Sequence, residues 1–263
     1  FGCRLNIYES EILKQGVKEH KIKDTAIFNS CAVTSESVRQ VKQSIRKRKR
    51  EFPNEKIIVT GCAAQIEPET FANMDEVDLV SGNIEKRNIK NIISNKVNQK
   101  KIEVQNIMET KQSLNGLIDG YDNRSRAFVE IQNGCDHRCT FCIIPFGRGN
   151  SVSKSVKNII NEINLMIEKG HKEIVLTGVD IASWGHDLDV KSNLGFLVKK
   201  ILQGSPNLTR LKLSSMDVIG FDEELLEIIA TDKRILPHIH LSLQAGDNMI
   251  LKRMKRRHSR DDA

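Results

Sequence analysis

Short apolar segments alternate with helical segments along the first part of the chain. Three segments rich in β-branched residues end in small residues and predict strands: TAIFNS (25–30), KIIVTG (56–61) and VDLVSG (77–82). Residues 35–51 predict a helix that stops before Pro53, with an apolar stripe of Val38, Val41 and Ile45. A further helix is predicted over 84–96. This alternation predicts a parallel α/β sheet.

A second alternating series follows a segment, 97–126, in which Asn, Gln, Lys, Gly and Asp crowd together. That segment predicts a linker, with room for a short strand. The strands predicted beyond it are AFVEIQ (127–132), EIVLTG (173–178), RLKLSS (210–215) and HIHLSL (238–243). Helices are predicted between them over 155–169, 193–203 and 222–230. The domain boundaries we expect are 1–100, a linker over 101–126, and 127–263.

Two strands of the second series have a polar face. Lys212 and Ser214 alternate with leucines, and HIHLSLQ (238–244) alternates in the same way. Parallel strands covered on both faces are normally apolar throughout. A full or partial (β/α) barrel, with helices outside and a ligand inside, explains the polar face. Polar residues at ordinary strand ends are the alternative.

The net charge of the chain favours a polyanionic partner. The 263 residues carry a formal net charge of +7. Two runs hold much of the excess, RQVKQSIRKRKR (39–50) and LKRMKRRHSR (251–260). A solvated helix face is the ordinary interpretation of each run, but the overall balance favours nucleic acid.

The six cysteines divide into two sets of three. No apolar run reaches the length of a membrane span, and the start, FGCRLN, lacks the pattern of a signal peptide. We therefore expect a cytoplasmic chain without membrane contact, in which the thiols stay reduced. Cys135, Cys139 and Cys142 are bunched, whereas Cys3, Cys31 and Cys62 lie far apart.

The bunched set has the spacing C-x3-C-x2-C directly after a predicted strand. Structural zinc and ferredoxin-type clusters take four protein ligands, and no second cysteine pair is available here. Three thiolates on a four-iron cluster leave one iron free to bind another molecule. Three buried cysteines without a metal are the alternative.

The dispersed set occupies equivalent positions in the first series. Cys31 and Cys62 follow predicted strands, and Cys3 would do so if a strand preceded it. Because the carboxyl ends of parallel strands lie side by side, three such thiols can converge. A second cluster is therefore expected, although each cysteine alone is typical of a core residue.

Several segments together resemble the radical S-adenosylmethionine (SAM) methylthiotransferase family. They are FGCRLN-YES, N-CAVT, GCAAQ, GC---CTFCIIP--RG, TGVDI-S-G and HLSLQAGD--ILKRMKRRH, and the resemblance runs almost from end to end. Arg4, TGVDI (177–181) and HLSLQ (240–244) are most similar to the branch acting on N6-threonylcarbamoyladenosine at tRNA position 37.

This resemblance implies a methylthiotransferase domain followed by a partial radical SAM barrel. It implies one 4Fe–4S cluster on Cys3, Cys31 and Cys62, and a SAM-binding 4Fe–4S cluster on Cys135, Cys139 and Cys142. One SAM would donate a methyl group to sulfur and another would yield the radical that activates C2 of the adenine. tRNA and an electron donor such as flavodoxin or ferredoxin are the implied partners.

Further roles are expected for residues near these motifs. SAM contacts are expected from Phe141, Thr177, Gly178, Asp180, Ser214, Ser215 and Gln244. An ordinary tight turn at TGVD and apolar cover of the cluster by Phe141 are the alternatives. His137 and Arg138 are expected around the cluster. Phosphate contacts with tRNA are expected from Arg46, Lys47, Arg48, Lys252, Arg253 and Arg256.

The sequence departs from the family pattern at both ends. The usual strand before the first cysteine is absent, and the chain stops at RRHSRDDA, before the barrel should finish. The alternatives are therefore a methylthiotransferase acting on isopentenyladenosine in tRNA or on a ribosomal protein, or a truncated remnant without activity.

Overall fold

A computed structural model describes residues 2–87, 92, 101–109, 118–122, 124–190 and 192–263. The chain divides into two compact units. The first unit consists of 1–110 and 143–150, and the second of 111–142 and 151–263. The functional boundaries expected at 1–100 and 127–263 stay predictions. The α/β fold class is confirmed.

The first unit contains a parallel sheet of four strands in the order β1-β2-β3-β4. These strands are β1 (Thr25–Ser30), β2 (Lys56–Gly61), β3 (Leu79–Ser81) and β4 (Ile102–Glu103). β2 is central and buried, so that Ile57 and Val59 pack on one face while Ile58 packs on the other. The three predicted strands are confirmed, with the third shorter than the sequence predicts.

The helices of the first unit are α1 (Arg4–Glu19), α2 (Ser35–Glu51), α3 (Cys62–Ile66), α4 (Pro68–Ala72) and α5 (Ile144–Arg148). α2 has the predicted bounds: Thr34 caps its first turn through Ser37 N–H, and Val41 and Ile45 are buried. α1 was not predicted, because Asn6 and Glu9 interrupt its apolar stripe although both are buried. The helix predicted over 84–96 lies mostly outside the described residues.

The second unit contains a parallel sheet in the order β5-β8-β9 and a small antiparallel pair, β6-β7. Its strands are β5 (Arg126–Glu130), β6 (Gln132–Asn133), β7 (Val152–Ser153), β8 (Glu173–Thr177) and β9 (Arg210–Leu213). Its helices are α6 (Val156–Glu168), α7 (Leu194–Gly204), α8 (Glu223–Thr231) and α9 (Asn248–Arg253). The three helices predicted between strands are confirmed to within one residue at each end.

The strand predicted over 238–243 is wrong. That segment makes one isolated parallel bridge, between Met216 and Leu241. Ile239 is 46% exposed and Leu243 42% exposed, so neither enters a core as the alternation predicts. The alternating pattern is present, but the segment pairs with the segment after β9 only at Met216, which is too little to form a strand. Within the described part of the chain, no helix is long and apolar enough to span a bilayer.

Candidate metal centres

The dispersed cysteines converge in the first unit. Cys3 directly precedes α1, Cys31 directly follows β1, and Cys62 begins α3 directly after β2. A helix N-terminus presents free N–H groups and the positive end of the helix dipole, which favour a thiolate. Burial raises the pKa of Cys31, and the charges of Cys62 and Cys3 raise it further. The charges of Cys3 and Cys62 thus act on Cys31, as the expected convergence requires, and the binding of a cluster by these three thiols stays a prediction.

Three buried charged side chains lie beside this set: Glu9, Lys86 and Arg148, called here the buried ion cluster. Their side chains are at most 3% exposed. The Arg148 guanidinium forms a bidentate pair with Glu9, and Lys86 Nζ lies 2.7 Å from Glu9 Oε2. Burial alone would raise the pKa of Glu9, but Arg148 and Lys86 lower it to about 2. The cluster thus holds two cations and one carboxylate.

Arg148 also contacts a cysteine. Its Nε lies 3.0 Å from Cys62 Sγ, and its Nη2 donates to Asn6 Oδ1. The amide of Asn83 lies 4.0 Å from the same sulfur. Three converging free thiols with N–H donors around one sulfur fit an iron–sulfur cluster, whose sulfurs accept such hydrogen bonds.

The bunched cysteines form a turn in the second unit, in which Cys142 N–H donates to Cys139 O at 3.0 Å. Burial raises the pKa of Cys135 to about 12, and the charges of Asp180, Cys142 and Cys139 add to the increase. Arg256 Nη1 lies 3.6 Å from Cys139 Sγ. Three thiols of one turn whose charges act on one another, with an arginine donor at one sulfur, also fit a cluster bound by three cysteines.

Asp180 and His137 stand next to Cys135. His137 Nε2 lies 2.9 Å from Asp180 Oδ2, and Ser183 Oγ donates to the same carboxylate at 2.6 Å. Burial alone would raise the pKa of Asp180, but the contacts with His137 and Ser183 and the charge of Arg257 hold it below its ordinary value. Three possible ligand atoms, one each from Cys135, His137 and Asp180, lie within 4.8 Å of one another. This arrangement also suits a single metal ion.

Asp217 lies beside three basic side chains of residues 256–258. Its carboxylate lies 2.9 Å from Arg256 Nη2, 3.3 Å from Arg257 Nη2 and 3.2 Å from His258 Nδ1. Arg256 and Asp217 are both less than 10% exposed. Arg256 also contacts Cys139 Sγ, and Arg257 also contacts the Asp180 carboxylate. The network therefore connects the segment after α9 to Cys139 and Asp180.

The residues expected to contact SAM lie in different environments. Thr177 ends β8, and Ser214 follows β9 at the same edge, with its N–H donating to Leu176 O at 3.1 Å. Ser214 is buried, and its hydroxyl has no hydrogen-bond partner among the described residues. Ser215 Oγ instead lies 2.6 Å from His240 Nδ1. Phe141 and Gln244 are exposed, and Gln244 has a left-handed φ of 65°.

The TGVD turn is held by Gln132. Its side-chain oxygen accepts from Val179 N–H at 3.1 Å and Asp180 N–H at 2.8 Å. A Cβ on Gly178 would stand 2.7 Å from Gln132 O, so the glycine allows the loop to approach β6. The packing of this turn is sufficient to explain Gly178.

The residues expected to contact tRNA are not equivalent. Arg46 and Lys47 are exposed, each 3.8–3.9 Å from a carboxylate. Arg48 is committed to a bidentate pair with Glu55 and stacks on a phenylalanine ring at 4.0 Å. Lys252 and Arg253 are exposed in the last turn of α9. Burial of Arg256 against Asp217 argues against a phosphate contact there.

Sequence reasoning missed the charged residues around both centres, namely Glu9, Lys86, Arg148 and Asp217. Of these four residues, Arg148 alone lies close in sequence to a predicted metal ligand, since it follows the third bunched cysteine in CIIPFGRG. Charged residues are almost never fully buried unless paired, and the pairs here are up to 139 residues apart.

Two family models match the chain. The Radical SAM superfamily matches residues 129–263, just over half of the chain. An uncharacterized protein family, UPF0004, matches residues 1–82. The first match covers the bunched cysteines and the second covers the dispersed ones.

Similar proteins agree with these matches. A threonylcarbamoyladenosine tRNA methylthiotransferase MtaB from Rickettsia prowazekii is 48% identical over 99% of this chain and 61% of the relative. A relative of the same name from Aquifex aeolicus is 35% identical over 99% of this chain and 65% of the relative. The chain therefore spans less than two thirds of the length of these relatives.

A solved structure shares the fold. The radical S-adenosylmethionine methyltransferase TsrM from Kitasatospora setae, solved with cobalamin and a [4Fe-4S] cluster, has a TM-score of 0.63. It is 11% identical over 97% of this chain and 62% of that structure, so the likeness concerns the fold alone. With its own α/β fold and a superfamily match over just over half of its length, this chain belongs to the Radical SAM superfamily.

Proposed function

We propose that the chain acts in the methylthiolation of C2 of N6-threonylcarbamoyladenosine at position 37 of tRNA, as a cytoplasmic radical SAM enzyme. The observation that carries this proposal is the presence of two sets of three free cysteines, each brought together within one compact unit. The name of the relative at 48% identity supports the substrate.

In the second unit, Cys135, Cys139 and Cys142 would hold the SAM-binding 4Fe–4S cluster. When bound, that cluster supplies the electron for reductive cleavage of SAM to a 5′-deoxyadenosyl radical. Arg256 supports the sulfur of Cys139 from 3.6 Å, and Asp217 fixes Arg256 in turn. These residues hold the ligands in place and keep their charge balanced.

SAM itself would lie at the carboxyl edge of β8 and β9. Thr177 and Ser214 lie at this edge, and the buried Ser214 hydroxyl, which has no hydrogen-bond partner in the described part of the chain, is available to a polar group of SAM. Asp180 would accept from the SAM ammonium or ribose in exchange for its present contact with Arg257. Ser215 and Gln244 complete the proposed set at the rim, Phe141 would provide apolar contact, and Gly178 would keep the adjoining turn close.

In the first unit, Cys3, Cys31 and Cys62 would hold an auxiliary 4Fe–4S cluster. The buried ion cluster stands beside these thiols and carries an excess of positive charge. A cluster bound by three thiolates is anionic, so the excess charge favours its binding. Flavodoxin or ferredoxin would deliver electrons.

tRNA would contact exposed basic residues. Arg46 and Lys47 on α2 and Lys252 and Arg253 on α9 are exposed and able to reach phosphates. Arg48 contributes through its charge only, because Glu55 occupies its guanidinium. Arg256 supports Asp217 instead of a phosphate.

Anaerobic reconstitution with iron and sulfide tests the cofactor content. Two four-iron clusters predict about eight irons per chain, and the matched variants Cys139→Ala and Cys31→Ala should each lose about half of them. Electron paramagnetic resonance should change on adding SAM in the parent and in Cys31→Ala, but not in Cys139→Ala. Zinc binding, or no metal at all, would contradict the proposal.

The substrate is tested by mass spectrometry of nucleosides after incubation with SAM, reductant and sulfide. We expect a methylthio product on tRNA that carries N6-threonylcarbamoyladenosine. Product on tRNA with isopentenyladenosine, or label in ribosomal protein, would instead support the alternative substrates.

A further inference from the structure

Arg148 is fixed in the first unit by contacts from several directions. It ends α5, and its side chain is 3% exposed. Nη1 and Nη2 bind the two carboxylate oxygens of Glu9, and Nη2 also donates to Asn6 Oδ1. The guanidinium plane is therefore determined by α1. With both Nη groups engaged, Nε is directed at Cys62 Sγ, 3.0 Å away.

Charge neutralisation of Glu9 does not require Arg148. Lys86 Nζ lies 2.7 Å from Glu9 Oε2, and both side chains are 2% exposed. A single buried cation already balances a single buried carboxylate, so Arg148 brings one positive charge in excess. Burial of an uncompensated charge is strongly unfavourable, which indicates that an anion belongs next to it. The sulfur of Cys62 is the group that its Nε–H faces.

We propose that Arg148 is a positioning residue that raises the reduction potential of the auxiliary cluster by donating its Nε–H to Cys62 Sγ; this inference rests on the proposed function of the first cysteine set. Reduction adds negative charge to a cluster and its sulfurs. A cation and an N–H donor at one sulfur stabilise that reduced form more than the oxidised form.

The chain offers a matched control for this role. Arg148→Gln and Lys86→Gln each remove one buried positive charge, and each leaves Glu9 with one cationic partner. Of these two cations, Arg148 is the one with a hydrogen bond to a cysteine sulfur among the described contacts. A purely electrostatic or purely structural role would make the two variants alike, whereas a hydrogen bond to Cys62 separates them.

The experiment uses the full chain with Cys139→Ala, so that the auxiliary cluster alone reports. Midpoint potentials are measured by redox titration followed by electron paramagnetic resonance. Arg148→Gln should lower the midpoint potential by about 59 mV, which corresponds to a tenfold smaller equilibrium constant for one-electron reduction of the cluster. Lys86→Gln should produce a clearly smaller shift of the same sign, because Lys86 adds charge without the hydrogen bond.

Arg148→Lys keeps the charge without the planar set of donors and should give an intermediate potential. It also provides the measurement if Arg148→Gln fails to fold. Equal potentials in the parent and both Arg148 variants, or equal shifts in Arg148→Gln and Lys86→Gln, would overturn the inference. Failure of the Cys139→Ala parent itself to assemble a cluster would instead count against the proposed function of the first cysteine set.

Discussion

In the first unit, a cysteine faces a buried cation, whereas in the second a cysteine faces a buried carboxylate. Cys62 Sγ lies 3.0 Å from Arg148 Nε. Burial and the charge of Asp180 raise the pKa of Cys135 to about 12. Thiolate formation is thus opposed by the protein at Cys135, whereas the charged group that faces Cys62 Sγ is a guanidinium. Cys62 and Cys135 thus have neighbouring charges of opposite sign, although each belongs to a set of three cysteines.

This difference bears on how each site is filled. The first set has the charge of Arg148 beside it before any metal arrives. At Cys135 of the second set, burial and the charge of Asp180 oppose thiolate formation, so a bound cation would favour it.

Glu9→Gln should cost the most stability. It leaves Lys86 and Arg148 buried without a carboxylate, and breaking such a buried pair typically costs about 3–5 kcal/mol in the free energy of unfolding. Urea unfolding followed by circular dichroism measures the change. The matched control is Glu224→Gln at a partly exposed pair with Lys199, where we expect a change within about 1 kcal/mol. Equal costs at both sites would contradict the structural importance of the buried ion cluster.

The effect of Glu9 should also depend on pH. The fold lowers the pKa of Glu9 from 4.5 to about 2. A lowered pKa means that the carboxylate stabilises the fold above pH about 4.5 and loses that contribution as the pH falls through about 2. The free energies of unfolding of the parent and Glu9→Gln should therefore converge as the pH approaches 2.

Gly61→Ala should lower the free energy of unfolding of the first unit by about 2–3 kcal/mol, because it strains and displaces the backbone next to the first cysteine set. Gly61 has φ 95° and ψ −172° directly before Cys62. An added Cβ would stand 2.3 Å from Ser30 O. Gly170→Ala in the second unit is the control, because φ is 89° there but nothing lies within 4 Å of the added carbon. We expect the control to cost about 1 kcal/mol. Thermal unfolding should rank the two variants in this order.

Asp180→Asn should make the thiol of Cys135 more reactive. Removing the carboxylate charge lowers the pKa of Cys135, although burial keeps it above the ordinary value. At pH 8–9 the rate of iodoacetamide alkylation should rise by about 3- to 10-fold in the metal-free protein. Peptide mapping by mass spectrometry identifies the alkylated cysteine. An unchanged rate at Cys135 would remove the proposed contrast between the two sets.

The smallest effects are expected at the exposed basic residues. Lys47→Ala in the first unit and Lys252→Ala in the second should each weaken tRNA binding a few-fold and reduce the salt slope by about 1. Arg256→Gln should leave the slope unchanged, because Arg256 is paired with buried Asp217. A reduced slope for Arg256→Gln would place a phosphate contact there after all. Filter binding across a salt series measures all three.

Prediction from sequence succeeded where the signal is local. The helix 35–51 was found with its bounds, since its apolar stripe, capping residue and terminal proline lie within one segment. The strand expected over 238–243 is wrong, because alternation alone does not determine how far a segment pairs with its neighbour, and the pairing here is limited to one bridge at Met216. Helix α1 was missed for the converse reason: Asn6 and Glu9 look like surface residues, yet both are buried in contact with Arg148.

The sequence by itself determined the α/β class, the two cysteine sets and the family, because strand and helix periodicity and the C-x3-C-x2-C spacing are properties of short segments. Tertiary structure alone decided which charge stands beside each thiol. Glu9 and Arg148 are 139 residues apart in the chain, and Cys135 and Asp180 are far apart in sequence as well. Electrostatic interactions depend on distance and burial in space, and no short segment of sequence encodes either of them.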